Sequence, residues 1–254
     1  MQSIPTGIEF GALPRVSKFG DGTFPKYQNR FYLIPRDHWQ PVSLNRHVRI
    51  VYAQKDGMCT ANGADGVVMA ERSIRNRPVN PILSPEHLYG QVSDWGEGAS
   101  LDKILKTLVE TGCCTREQVP AEDGHVRRSW PEDWVALSEA NRVLEWVDLN
   151  ADFDAVATAL QRRKPCLIGV HWPGGGGHAV MATQLRDDRN GGWQLAGPNS
   201  WGESWGVAPY YTPKDLIWMK IRNRRPFTGG WWTLTERQCR DFSTFGCWAI
   251  GTSV

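Results

Sequence analysis

Helical and strand-like periodicities are segregated along this chain, and that separation limits the architectures open to it. In the first part, Ser100 stands before Leu101, Ile104, Leu105 and Leu108 at helical spacing, and Gly112 stops the run. From Cys59 to about Arg75, residues Ala61, Ala64, Val67, Val68 and Ile74 mix with helix formers until Pro78 ends the pattern. Small and apolar residues around so much of its girth predict a buried central helix. Shorter helices are expected over 85–89, from Pro131 with Glu132 and Asp133 at its positive end, and after Asp152, with Phe153, Val156 and Leu160 inward. In the second part, Cys166 to Trp172, Ala179 to Leu185 and Trp193 to Ala196 are short apolar or alternating runs between turn residues, which predicts strands. Residues 188–192 (Asp-Arg-Asn-Gly-Gly) make a hairpin turn, and Thr233 with Glu236 suits a capping box. Helices first and strands second predict an α+β fold: a helical lobe, a sheet or barrel lobe, and a cleft between them.

A chain of 254 residues can bury a full core. Residues 1–34, punctuated by Gly and Pro without a sustained period, are expected to form an extended arm, on the surface, disordered or lying over the cleft. The main domain then spans 35–254, with the helical lobe over about 51–150 and the sheet lobe over about 151–254. The net charge is +2 and the 29 basic residues are scattered, so no basic stripe invites nucleic acid. The cluster Arg222, Arg224 and Arg225 reads as a solvated turn rather than a phosphate site. No apolar run approaches the roughly 20 residues that cross a bilayer, and the first ten residues lack a leader pattern, so a cytoplasmic protein is expected. Six cysteines without paired C-x-x-C spacing point to free, partly buried thiols, although Cys239 and Cys247 are near enough in sequence to close a short loop. The 13 tryptophans suit core packing, or the lining of a groove.

Three segments carry chemistry. Gly57-Met58-Cys59 puts a thiol at the start of the buried helix, where the helix dipole favours thiolate, and Gly57 admits close backbone approach. Gly174 to Gly177 delivers His178 onto an apolar strand, beside open space. Asn199 follows another strand in a loop flanked by Trp201 and Trp205. Each alone has a structural explanation: a core cysteine, a satisfied histidine, an aromatic-packed turn. Together, a thiol, an imidazole to hold its proton and an amide to orient the imidazole make a nucleophilic set. The histidine lies about 120 residues after the cysteine, and the asparagine later still.

These stretches resemble the papain family of cysteine peptidases, particularly its compact bacterial and phage-encoded members. Gly57-Met58-Cys59-Thr60-Ala61 is similar to that family's nucleophile segment, and Leu83-Ser84-Pro85-Glu86-His87-Leu88-Tyr89 to its L-S-P-x-x-L-Y stretch. Gly177-His178-Ala179-Val180 and Asn199-Ser200-Trp201-Gly202-Glu203-Ser204-Trp205-Gly206 are similar to its histidine strand and N-S-W-G-x-x-W-G loop. The resemblance implies a papain-like two-lobed fold and hydrolysis of a peptide or protein substrate without a cofactor. Cys59 would be the nucleophile, His178 the acid and base, Asn199 the orienting group, and Trp201 a shield over the His178–Asn199 bond. Gln54 would serve the oxyanion hole, although it stands one residue closer to the cysteine than in the family pattern. Gly57, Gly96, Gly98 and Gly177 would line the substrate cleft. Residues 121–147, with Trp130, Trp134 and Trp146, look like an insertion able to reshape one rim.

Two other readings fit the same residues. One is a peptidase or amidase acting on cell-wall peptidoglycan; the other is a binding protein on the same scaffold with weak or lost catalysis. A metal site is not expected, because His171 and His178 lack a third ligand at suitable spacing.

Overall fold

The longest helix forms where small residues let it be surrounded. In the computed structural model, which describes residues 11–13, 32–93, 98–120, 129–149, 151–172, 175–239 and 245–253, two short strands precede it: β1 (Ala12–Leu13) and β2 (Val42–Ser43). Helix α1 (Cys59–Ile74) is then buried at every position from Cys59 to Glu71. Its glycines are contact points. A Cβ at Gly63 would stand 2.6 Å from Leu167 Cδ1, and one at Gly66 would stand 3.4 Å from Met181 Cε. The helix therefore lies closer to the sheet behind it than larger residues would permit.

Helices α2 (Pro85–Gly90) and α3 (Leu101–Glu110) pack against α1, with β3 (Ala99–Ser100) leading into α3. Ser100 caps α3 by accepting from the Lys103 amide at 3.3 Å, and Gly112 takes φ +88° beyond its end. Helix α4 (Trp134–Glu139) begins three residues later than Pro131 predicts, after a turn. Strand β4 (Val143–Asp148) follows, then α5 (Phe153–Gln161), capped as expected by Asp152 at 2.9 Å from the Asp154 amide.

The remaining strands are β5 (Cys166–His171), β6 (Gly177–Ala182), β7 (Gln184–Asp187), β8 (Trp193–Pro198), β9 (Trp231–Thr235) and β10 (Cys247–Ser253), with α6 (Pro213–Ile221) between β8 and β9. They form two four-stranded sheets, ordered β4-β10-β5-β6 and β2-β7-β8-β9, and neither closes into a barrel. The run Ala179 to Leu185 is two strands rather than one. Thr183, fully buried with its hydroxyl donating to Asn45 Oδ1 at 2.7 Å, marks where the chain leaves one sheet for the other.

Other expectations need correction. Thr233 lies in β9 opposite Ala196, and its hydroxyl accepts from Arg186 at 2.8 Å, so Thr233 and Glu236 form no capping box. The capping box is Thr212 with Asp215, at the start of α6. Arg224 is not in a solvated turn: its guanidinium reaches in to the Arg46 and Val48 carbonyls. Trp130 and Trp134 pack on His87, at 4.7 and 5.3 Å between ring centroids, and Trp146 is buried within β4. All six cysteines are buried free thiols. Among the described residues, no helix is long and apolar enough to cross a membrane.

Candidate active site

Helix α1 begins without a side-chain cap, so its first amides have no partner from a capping residue. Cys59 occupies that first position. Its sulfur lies against the adjoining sheet, where the Ala179 amide of β6 donates to Sγ at 3.4 Å. Amide hydrogens of Gly11, Thr60 and Cys59 also favour the thiolate, yet burial outweighs them and pushes the thiol up to about 11.

His178 directly precedes Ala179 and pairs across to Val170 of β5. Its Nε2 is 2.7 Å from Asn199 Oδ1, at the end of β8, and the Ser200 amide donates to the same oxygen at 2.7 Å. That amide identifies Oδ1 as the oxygen, because an NH₂ group there could not accept. Nε2 must therefore carry the hydrogen, which leaves the lone pair on Nδ1. Burial pulls the imidazole down to about 4, with the Asn199 bond acting in the opposite direction. In this state both thiol and imidazole are neutral near pH 7.

Aromatic rings enclose the pair. Trp201 lies 4.7 Å from the His178 ring at a 30° tilt, and Trp172 meets His178 edge-on at 5.1 Å. Trp205 in turn supports Trp201 at 4.9 Å.

Gln54 is placed by a short antiparallel clasp, not by its distance along the chain from Cys59. The Gln54 amide donates to the Ser200 carbonyl at 2.8 Å, Ala53 bridges Trp201, and the Gly202 amide donates to Tyr52 at 2.7 Å. The Gln54 side-chain carbonyl accepts from the Ser200 hydroxyl and from Asn62 Nδ2. Its amide nitrogen therefore points away from those donors and bonds the Asp56 carbonyl at 3.1 Å.

The expected cleft already holds a strand, supplied by the chain itself. β1 pairs in parallel with β3, and the Ala99 amide donates to the Gly11 carbonyl at 2.7 Å. A Cβ at Gly11 would overlap the Gly57 carbonyl, one at Gly98 the Gly11 carbonyl, and one at Gly177 the Ala12 carbonyl. Three glycines expected in the cleft thus close around residues 11–13; Gly96 lies outside the described residues. Sequence reasoning left open whether the arm lies over the cleft, and it missed the Ala179 amide, Trp172 and Ser200. Ser200 could have been found from its place directly after Asn199. The arm carries no periodic signal, because its partners are distant glycines. Among the described residues, no group of three His, Cys, Asp or Glu side chains could hold a metal ion.

No protein-family model matches the sequence, and no curated protein matches it. Solved structures do. The chain superposes on xylellain, a cysteine protease from Xylella fastidiosa, with a TM-score of 0.72 and 17% identity over 100% of both chains. It is also similar to procathepsin B S9 from Trypanosoma congolense, with a TM-score of 0.63 and 14% identity, covering 96% of this chain and 86% of that one. Digestive procathepsin L 3 of Tenebrio molitor larval midgut gives 0.62 and 14%, covering 89% and 72%.

The fold is papain-like. Within that papain-like fold, α1 brings a thiol to the sheet edge and the loop after β8 brings an amide to the imidazole. The sulfur thus meets the amide of Ala179, the residue directly after His178.

Proposed function

We propose that this chain is a cysteine-type peptidase that hydrolyses peptide or protein substrates. The contact that carries the reading is the Ala179 amide on Cys59 Sγ, one residue from the histidine that Asn199 orients. In this mechanism His178 Nδ1 takes the proton of Cys59, and the thiolate attacks the carbonyl carbon of the scissile bond. The carbonyl π pair moves to oxygen, where the Cys59 backbone N–H and the Gln54 side-chain amide receive it. Collapse expels the amine, which takes its proton from His178, and leaves a thioester on Cys59. Water, giving a proton to His178, then attacks the thioester; the proton returns to sulfur as the acid departs. The likeness to proteins described as cysteine proteases supports this choice of chemistry.

Residues 11–13 hold the site shut in the state described. Gly11 presents an N–H to the sulfur rather than an electrophilic carbon, and the enclosed thiol and imidazole stay neutral. Turnover requires the arm to leave, which hydrates both groups and moves their pKa values toward each other.

The test is mass spectrometry of the intact protein treated with a peptidyl-epoxide thiol-protease inhibitor, beside Cys59→Ala and His178→Ala. A single adduct on Cys59, lost in both variants, is the expected result. A folded protein that takes no adduct anywhere between about pH 5 and 8, even with the arm displaced by Gly11→Val, would exclude an active peptidase.

A further inference from the structure

A cavity lies at the other end of α1 from Cys59, about 24 Å away at 1.5 Å per residue. It encloses about 800 Å³ between the end of α1, the loop that follows it and the C-terminal end of α6. Four arginines line it, Arg49, Arg77, Arg222 and Arg224, together with Trp218 and Ser73, and no Asp or Glu is among its described lining residues.

Several arginines elsewhere in the protein pair with acids. Arg36 meets Asp154 and Glu236, Arg75 meets Glu71, Arg46 meets Asp215, and Arg225 bonds Glu203 at 3.0 Å. Arg224, next to Arg225 in sequence, instead donates to the Arg46 and Val48 carbonyls, so backbone holds the cation in place without neutralising it. The Arg222 guanidinium sits over the Trp218 ring, 5.6 Å from its centroid. Among the described residues, no carboxylate lies within ion-pair distance of Arg49, Arg222 or Arg224.

These cations also repel one another. Arg49 is depressed by burial and then by Arg222, and Arg224 by burial and then by Arg49, to about 10. His47, whose ring packs on Trp218, is pulled down to about 3 by burial and four neighbouring arginines. The guanidinium groups of Arg49, Arg222 and Arg224, on one concave wall with no carboxylate in reach, repel one another and favour a bound anion.

We propose that this cavity binds a small anion bearing two or more phosphate groups. Guanidinium forks match phosphate oxygens bidentately, and the volume holds a ligand beyond the size of a single phosphate. The phosphates could be an inorganic chain or belong to a sugar phosphate. Placed where α1 ends, such a ligand would brace the helix that carries Cys59 while leaving the cleft untouched.

The test is titration calorimetry on the full chain at about 0.15 M salt, with sodium tripolyphosphate in one arm and fructose 1,6-bisphosphate in the other. One-site binding at about 100 µM or tighter is expected for at least one of them. The tighter arm assigns the phosphates to an inorganic chain or to a sugar. Arg49→Gln and Arg222→Gln should each weaken it about tenfold, whereas Arg225→Gln, paired outside the cavity, should not. Arg222 is exposed, so its variant keeps the test clear of folding defects. No saturable heat in either arm would overturn the proposal. So would binding unchanged in both cavity variants, or tighter binding of an oligoglutamate peptide. None of these outcomes depends on peptidase activity.

Discussion

At the scale of single residues, burial sets the charge states, and Asp65 shows this away from the cleft. It lies midway along α1, fully buried, and accepts a hydrogen bond from the Tyr52 hydroxyl. Burial pushes its carboxyl from 3.8 up to about 7, while the Tyr52 bond and Arg116 pull the other way. The folded state therefore holds this proton more tightly than the unfolded chain does. The stability it contributes is fully present below about pH 4 and is lost as pH rises through about 7. Asp65→Asn keeps an acceptor for Tyr52 and removes the titration. Urea unfolding should find the variant more stable than the parent at pH 8, by at most roughly 4 kcal/mol, with the gap closing toward pH 4. An equal gap at both pH values would mean that Asp65 titrates alike in the folded and unfolded chain. The residue was legible from the sequence only as one position on a buried helix. Its protonation depends on burial, opposed by Tyr52 and Arg116, and local pattern does not bring those groups together.

At the scale of elements, the strand in the cleft is a removable part. Gly11 is the only residue that fits against the Gly57 carbonyl, so Gly11→Val should expel β1 while leaving the two four-stranded sheets intact. Epoxide labelling of Cys59 and hydrolysis of a casein substrate should then both rise about tenfold or more over the parent. A folded variant whose labelling rate is unchanged would show that β1 does not guard the sulfur. Elements whose signals are local were readable in the sequence. Helices α3 and α5 carry their own caps, Ser100 and Asp152, and α1 carries its girth of small residues. The failures are non-local. Thr233 and Glu236 have capping-box spacing, but β8 claims Thr233 as a strand residue. Ala179 to Leu185 is apolar except for Thr183 and Gln184, and two polar residues near the end of an apolar run do not distinguish a change of sheet from one continuous strand. Cys59, His178 and Asn199 were legible as motifs. The 52–54 clasp that fixes Gln54 was not, because it depends on pairing with residues 200–202.

At the scale of the whole molecule, the closeness of α1 to the sheet behind it sets how the sulfur of Cys59 meets the Ala179 amide of β6. Gly63 and Gly66 set that distance against Leu167 and Met181. A Gly63→Val substitution must push helix and sheet apart, because its Cβ would already crowd Leu167 Cδ1. Denaturant unfolding should show a loss of about 1–3 kcal/mol, and epoxide labelling should slow because Cys59 moves from Ala179 and His178. A variant that loses stability yet labels at the parental rate would disconnect helix packing from thiol reactivity. The cleft strand has a consequence for competition. A segment tethered to its own binding site acts at an effective concentration on the order of millimolar. A free peptide at micromolar concentration must therefore bind roughly a thousandfold more tightly than residues 11–13 to hold the cleft half the time. A ligand that captured the arm outside the cleft would need no such advantage.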